Sequence, residues 1–307
     1  MGRGYWDDKD WMRYSKAHIA GKKSVDDIFT SKCIDPALDP KGIKTRESCD
    51  SIDNPNSTAL IVGLDVTGSM GCVLDSIARE GLKNLATEVY NRKPITNPHI
   101  MFLGIGDAEA RDLYPLQATQ FEADIRIAEQ LTKIYLERGG GGNNYESYAL
   151  AWYFAALHTK IDCFEKRKKK GFLFTIGDEE PTPYLRASDI ERVMGYRPQT
   201  DYLAQDLLTM VSRQYEVYHL MIREGSYFRS RGDIVQKKWK DLLGQRAIVL
   251  DDYTMIGEVI VSTLQIANGE NPDAVIKSWD SSKSLVVANA IKDLTSNFDN
   301  TAGVVRF

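Results

Sequence analysis

The stretch TALIVGLDVTGSM, residues 58–70, places a continuous apolar run directly before an acid, two hydroxyls and a glycine. A short run of aliphatic and β-branched residues predicts a strand that is buried on both faces, as in a parallel sheet. The polar residues would then lie at the carboxyl end of that strand. Taken alone, they permit three interpretations: a turn with a helix cap, a nucleophile site, or oxygen ligands for a metal ion.

From residue 58 onward, apolar runs typical of strands alternate with segments of helical periodicity. This alternation predicts an α/β fold with a doubly wound, mainly parallel sheet flanked by helices, similar to the Rossmann fold. The predicted strands cover 58–64, 99–107, 171–178, 216–222 and 245–250, and the predicted helices cover 72–92, 121–140, 146–160, 201–215, 233–244 and 253–268. We expect one such domain over 58–268, an N-terminal extension packed on it over 1–57, and a C-terminal tail with a short helix over 269–307.

Composition restricts the function classes. The 307 residues include 39 basic and 43 acidic side chains, for a formal net charge of −4. We therefore expect neither nucleic-acid nor membrane binding, because both need a clustered positive surface. The four cysteines form no CxxC pair, so neither a zinc site nor a disulfide framework is indicated. Without an apolar leader or a membrane-length apolar run, we expect a protein of the reducing cytoplasm.

Three polar loops stand at predicted strand ends or helix starts. The first, at 65–69, contains an acid and two hydroxyls; the second is GGGGNNYES at 139–147; the third is TIGDEEP at 175–181, where Asp178 ends a strand. In doubly wound sheets, ligands bind outside the carboxyl ends of the strands. The loops offer carboxylates, hydroxyls and amides but no histidine or cysteine, a donor set that suits Mg²⁺, Mn²⁺ or Ca²⁺.

The DVTGS run after an apolar strand resembles the metal-ion-dependent adhesion site (MIDAS) of von Willebrand factor A (vWA) domains, whose pattern is DxSxS or DxTxS. The second loop departs from the commoner form with threonine. It is similar to the variant in integrin β-subunit I-like domains, where a glutamate just before the helix is a ligand. The resemblance covers roughly residues 57–268. It implies a metal site of Asp65, Thr67, Ser69, Glu146 and Asp178, with Asn143 at a second, adjacent ion. From the loops themselves, Asn144, Ser147 and Asp107 are further candidates for the rim, and an ordinary exposed acid is an equal alternative for Asp107.

The resemblance also implies roles for these residues. The hydroxyls of Thr67 and Ser69 and the carboxylate of Glu146 would coordinate the ion directly, whereas Asp65 and Asp178 would act largely through ordered waters. Mg²⁺ is the expected ion, with Ca²⁺ and Mn²⁺ as alternatives. An acidic side chain of a partner protein would fill an open coordination position. Three carboxylates near the ion would make the affinity for that partner modest.

At the level of function, the resemblance implies a bacterial or phage intracellular adaptor that works with a MoxR-type AAA+ ATPase in the remodelling or maturation of a target. The alternative is a structural or self-assembling component of a phage or bacterial complex. A metal-dependent phosphatase of the haloacid-dehalogenase kind ranks third, because that family begins with DxDx[TV] and Thr67 stands at its second acid. The sequence has no evident nucleophile–base pair, so we expect no enzyme.

Overall fold

The computed structural model describes residues 4–110, 112–139 and 143–295. Within these ranges the strands, in chain order, are β1 (Arg46–Ser48), β2 (Thr58–Asp65), β3 (Pro98–Ile105), β4 (Leu116–Ala118), β5 (Tyr145–Glu146), β6 (Thr159–Ile161), β7 (Gly171–Gly177), β8 (Glu180–Pro181), β9 (Tyr184–Leu185), β10 (Tyr202–Leu203), β11 (Tyr215–Ile222) and β12 (Ala247–Leu250).

The helices are α1 (Asp8–His18), α2 (Val25–Ile28), α3 (Gly71–Ser76), α4 (Leu82–Arg92), α5 (Arg126–Leu131), α6 (Tyr148–Leu157), α7 (Asp162–Glu165), α8 (Ala187–Met194), α9 (Ala204–Val211), α10 (Ser226–Leu243), α11 (Ile256–Ala267), α12 (Pro272–Lys277) and α13 (Ser281–Ile291). A π-helical turn at Ile77–Gly81 joins α3 to α4. None of the helices in the described ranges is long and apolar enough to cross a lipid bilayer.

The main sheet has the strand order β12-β11-β7-β2-β3-β4, and every neighbouring pair is parallel except β3 and β4. This confirms the predicted doubly wound α/β fold. The apolar run at 58–64 forms a central strand, with β7 on one side and β3 on the other. The chain reverses its direction of progress across the sheet at β2, and such a reversal creates a crevice at the carboxyl ends of the strands.

Successive side chains of β2 point to opposite faces of the sheet, and each face has its own apolar core. Leu60, Val62 and Leu64 belong to a core that includes residues of α4, α11 and α13. Ala59 and Ile61 belong to a second core that includes residues of α6, α9 and α10. Helices thus cover both faces, which explains why the strand is apolar throughout instead of alternating with polar residues.

Several predicted helices differ in extent from the observed ones, and two of them show the physical reason. The predicted helix 121–140 is only the short α5, because Glu122 forms an antiparallel bridge with Ile100, with N–O distances of 2.8 and 3.0 Å. The predicted helix 146–160 begins at Tyr148 instead, because Glu146 lies in β5 and pairs with β8. In both segments, pairing with a distant strand prevails over a local helical pattern.

Both flanking segments contact the α/β core. From the N-terminal side, Trp11 is buried in the same core as α4, and β1 pairs in parallel with β6. Arg167, from the basic run 165–171, donates to Asp50 at 2.6 Å and so fixes the extension. From the C-terminal side, Val287 and Ile291 of α13 are buried. Residues 296–307 of the predicted tail lie outside the described residues.

Candidate functional site

The carboxyl ends of β2 and β7 lie side by side, and an acid stands at each. Asp65 is the last residue of β2, Asp178 follows the last residue of β7, and both side chains are fully buried. Pairing of β5 with β8 brings Glu146 to the same edge of the sheet. The structure therefore brings together parts of all three predicted loops; residues 140–142 of the second loop lie outside the described residues.

The first loop turns tightly around Asp65. Its Oδ1 accepts hydrogen bonds from the backbone N of Thr67 at 2.9 Å and from the Thr67 hydroxyl at 2.6 Å. An ionised carboxylate can only accept hydrogen bonds, so the Thr67 hydroxyl is the donor to Asp65. The lone pairs of the hydroxyl oxygen remain available to another partner. At Gly68, an added Cβ would lie 2.8 Å from the backbone oxygen of Arg138, so glycine permits the second loop to approach.

Asp178 connects the first loop to the start of α10. Its Oδ1 accepts from the Ser69 hydroxyl at 3.1 Å, and its Oδ2 accepts from the backbone N of Tyr227 at 2.9 Å. The free N–H groups at a helix start favour a negative charge. Close packing requires glycine at position 225, where an added Cβ would lie 2.2 Å from Asp178 Cβ.

Glu146 is buried with an unsatisfied carboxylate oxygen. The side chain is 2% exposed, and its Oε2 has no hydrogen-bond partner among the described residues. Its backbone oxygen accepts from the Thr182 hydroxyl at 2.9 Å, so the segment is fixed while the carboxylate is not neutralised. Burial raises the pKa of Glu146 well above its usual range, and the charges of Asp65 and Glu179 raise it further. An unpaired buried carboxylate is costly, and a cation would relieve that cost.

The acids at this edge raise one another's pKa values. Burial and the charge of Asp178 raise the pKa of Asp65 to about 7. Burial and the charges of Asp65 and Asp178 raise the pKa of Glu179 to about 8. Glu180 behaves differently: although burial opposes it, hydrogen bonds from basic side chains of α10 lower the pKa of this carboxyl. The acids around Asp65 thus resist ionisation, whereas the carboxyl of Glu180, one residue after Glu179, is stabilised in its charged form by basic partners.

A groove of about 570 Å³ gives access to the hydroxyls of the first loop. It is lined by residues from the first and third loops, the neighbouring 138–139 segment and the start of α10, among them Thr67, Ser69, Arg138, Glu179, Tyr227 and Ser230. Asp65 and Asp178 are fully buried and do not line the groove, whereas Glu179 does. A ligand in this groove would therefore meet the two hydroxyls and Glu179.

The predicted rim residues form a neighbouring cluster around Asp107. The Asn143 side-chain amide donates to Asp107 Oδ2, and the Ser147 hydroxyl donates to Asp107 Oδ1 at 3.4 Å. Ser147 Oγ also accepts from the backbone N of Ala108 at 3.0 Å. The side chain of Asn144 is exposed, and its backbone oxygen accepts from the N of Glu180 at 3.3 Å. Asn143, Ser147 and Asp107 therefore satisfy one another beside the site.

Sequence reasoning missed three contributors. Tyr148 donates its hydroxyl to Asp65 Oδ2 at 3.2 Å from a fully buried position. Glu179 belongs to the acid cluster, and Tyr227 holds Asp178 through its backbone. A signal for Tyr227 existed, because the run REGSYF at 223–228 follows a predicted strand just as the other loops do. Nothing in the sequence pattern indicates that the Tyr148 hydroxyl reaches Asp65.

The donor chemistry fits a hard divalent cation. Among the residues that the structure describes, no three His, Cys, Asp or Glu side chains form a metal-binding group. This finding includes Asp65, Glu146 and Asp178, so a cation site here depends also on two hydroxyls, whose protons are directed at Asp65 and Asp178. Together with the unsatisfied Oε2 of Glu146, they make an oxygen-only environment of the kind Mg²⁺, Mn²⁺ and Ca²⁺ prefer.

Neither the protein-family models nor the curated proteins include a match to this chain. Among solved structures, the chain is similar to the pilus adhesin SpaC from Lactobacillus rhamnosus GG, with 11% identity, a TM-score of 0.46, and 74% of this chain and 31% of the adhesin covered. It is also similar to a von Willebrand factor type A protein from Catenulispora acidiphila, with 15% identity, a TM-score of 0.38, and coverage of 70% and 44%. The chain thus spans less than half of either protein. These similarities concern the fold alone.

Proposed function

We propose that this chain is a protein-binding module whose partner contact depends on a divalent cation, most simply Mg²⁺. In this proposal, Thr67, Ser69 and Glu146 hold the cation directly, and Asp65 and Asp178 support it from behind. The observation that carries the proposal is the buried Oε2 of Glu146, which lacks a hydrogen-bond partner in a cluster of mutually repelling acids. A cation is the ligand that relieves both costs.

The partner follows from the electrostatics of the site. A bound divalent cation would supply a positive point at the base of the groove, where a carboxylate is the complementary ligand. Thr67 and Ser69 line this groove while their protons remain directed inward at Asp65 and Asp178. Because the buried acids offset part of the cation's charge, we propose an acidic partner that binds with modest affinity and is released by chelation.

We further propose a cytoplasmic adaptor of an AAA+ ATPase and not an enzyme. The four cysteines are all free, which suits a reducing compartment. His219 is fully buried, and its Nδ1 lies 2.8 Å from the Thr175 hydroxyl, so it serves packing better than acid–base chemistry. The ATPase partnership rests on the resemblance to bacterial vWA adaptors.

Thermal unfolding in EDTA and then in Mg²⁺, Mn²⁺ or Ca²⁺ tests the cation site. A ligand that binds only the folded state stabilises it by about 2.7 kcal/mol at a hundredfold excess over its Kd. We expect this shift in the wild type and its loss in Thr67→Val, which keeps the shape of the side chain but removes the hydroxyl. If no ion shifts the wild type, or if Thr67→Val retains the full shift, the cation proposal is wrong.

Thr254→Val is a matched control. Thr254 donates to Asp252 Oδ1 through its backbone N at 2.9 Å and its hydroxyl at 2.6 Å, the same pair of bonds that Thr67 makes to Asp65. It stands in an exposed turn before α11, and its partner Asp252 is not one of the clustered acids. We expect Thr254→Val to keep the ion-dependent shift, so a loss specific to Thr67→Val would not reflect the missing turn hydrogen bond.

The ATPase partnership needs its own test. Wild-type protein and Thr67→Val are immobilised in Mg²⁺, exposed to lysate of the source organism and eluted with EDTA. Once Mg²⁺ is restored in excess over the EDTA, we expect ATP hydrolysis in the wild-type eluate and little in the variant's. Equal activity in both eluates would contradict a cation-dependent ATPase contact.

A further inference from the structure

A second groove continues from the candidate site along α10. Ser230 lines both the site groove and this second groove, whose volume is about 500 Å³. The charged residues lining it are three arginines, Arg223, Arg229 and Arg231, and one acid, Asp233. A ligand that extends from the first loop along α10 would therefore contact first the acidic cluster and then a surface whose charged residues are mostly basic.

The arginines differ in their pairing. Arg223 binds Asp251 at 2.8 Å, and Arg231 binds the buried Glu180 at 3.0 Å. Arg138, which lines the site groove, binds Asp26 at 2.9 Å. Among the described residues, Arg229 alone of the arginines lining the two grooves forms no ion pair with an acid, and its side chain is exposed.

A distortion of α10 explains why Arg229 is left unpaired. Asp233 stands four residues later, the spacing at which an arginine and an aspartate normally pair on a helix. The backbone of Arg231, between them, is not helical, with φ −133° and ψ 17°. This kink displaces the two side chains from helical register. Arg231 itself binds Glu180 at 3.0 Å.

We propose that Arg229 is a second recognition point for the acidic partner, so that the partner segment carries two carboxylates, one for the candidate cation site and one for Arg229. This inference rests on the proposed function and narrows its partner to a doubly acidic segment. The guanidinium suits the role because its planar donors match a carboxylate in a bidentate pair.

The fold restricts the spacing of the two acids. Tyr227, whose backbone holds Asp178, precedes Arg229 by two residues, so their Cα atoms lie within about one helical pitch of 5.4 Å. An extended peptide advances about 3.3 Å per residue. Asp178, which bonds to both Ser69 and Tyr227, separates Tyr227 from the first loop. Allowing for this separation and for the arginine stem, the second acid should stand about two to four residues from the first.

A displayed library of random dodecapeptides tests the inference. The library is bound in Mg²⁺ to immobilised wild type, Arg229→Gln or Arg213→Gln and eluted with EDTA. Arg213 is a matched control, because it is an exposed arginine two residues before β11 and thus at the opposite edge of the sheet. We expect two acids at the stated spacing in peptides from wild type and Arg213→Gln, but one acid in those from Arg229→Gln.

Synthetic peptides from the wild-type selection provide the second readout. We expect them to bind Arg229→Gln about tenfold more weakly, as for a lost charge-assisted bond, while Mg²⁺ stabilises the variant as it does the wild type. If the peptides selected by wild type, Arg229→Gln and Arg213→Gln all carry only one acid, the role of Arg229 is refuted and the proposed function stands. Eluates without peptide from the wild type would overturn both proposals.

Discussion

Replacement of Asp65 by asparagine should stabilise the cation-free protein in a pH-dependent manner. Burial and the charge of Asp178 raise the pKa of Asp65 from 3.8 to about 7. A group whose pKa is raised in the folded state contributes stability that is fully present when the pH is below its pKa in the unfolded chain. This stability is lost as the pH rises through its pKa in the folded state. Asparagine has the size of the protonated acid and carries no charge at any pH.

The size of this effect follows from the pH interval in which Asp65 is protonated in the folded state but ionised in the unfolded state. Between pH 5 and about 7, the wild type loses about 1.4 kcal/mol of stability per pH unit from this group. The gain from Asp65→Asn should therefore be about 2–3 kcal/mol larger at pH 8 than at pH 5. The comparison between two pH values cancels any fixed cost of placing an amide beside Thr67 and Tyr148.

Urea unfolding in EDTA, followed by tryptophan fluorescence, measures this difference directly. Asp252→Asn is the matched control, because Asp252 accepts the same two bonds from Thr254 outside the acid cluster. Its effect should be similar at pH 5 and pH 8. If Asp65→Asn changes the free energy of unfolding equally at both values, the repulsion inferred around Asp65 is absent. Divalent cations should also stabilise Asp65→Asn far less than the wild type.

Two further results are expected. The Kd for Mg²⁺ should fall up to about tenfold between pH 6 and pH 8, because binding must displace protons from acids with raised pKa values. Calorimetry in two buffers of different ionisation enthalpy would measure the number of protons released. A Kd that does not change with pH would contradict this prediction. Gly225→Ala should lower the free energy of unfolding in urea by about 1–3 kcal/mol, since its Cβ would lie 2.2 Å from that of Asp178. The control Gly71→Ala, whose Cβ would meet no atom within 4 Å, should be neutral or stabilising. Equal effects of the two substitutions would contradict this prediction.

The architecture was predictable because its main signal is local. A continuous apolar run such as 58–64 is stable as a strand only where helices cover both faces, and its alternation with helical segments predicts parallel pairing. The predicted helix 121–140 fails for the opposite reason. Its apolar spacing suits a helix, but the backbone of Glu122 bonds to Ile100 in a distant strand, a contact that no local pattern reveals.

The candidate site, too, was predictable in part from local sequence. The candidate residues Asp65, Thr67, Ser69, Glu146 and Asp178 could be named from the sequence, because each stands in a polar loop at a predicted strand end or helix start. Their electrostatic state could not be predicted, because it depends on how the chain packs.

Burial at one edge of the sheet raises the pKa values of these acids. Tyr148 reaches Asp65 from a helix on one face, and the start of α10 holds Asp178. The kink in the same helix separates Arg229 from Asp233. Each of these effects depends on desolvation or on a contact between distant segments, and both arise only when the chain is packed.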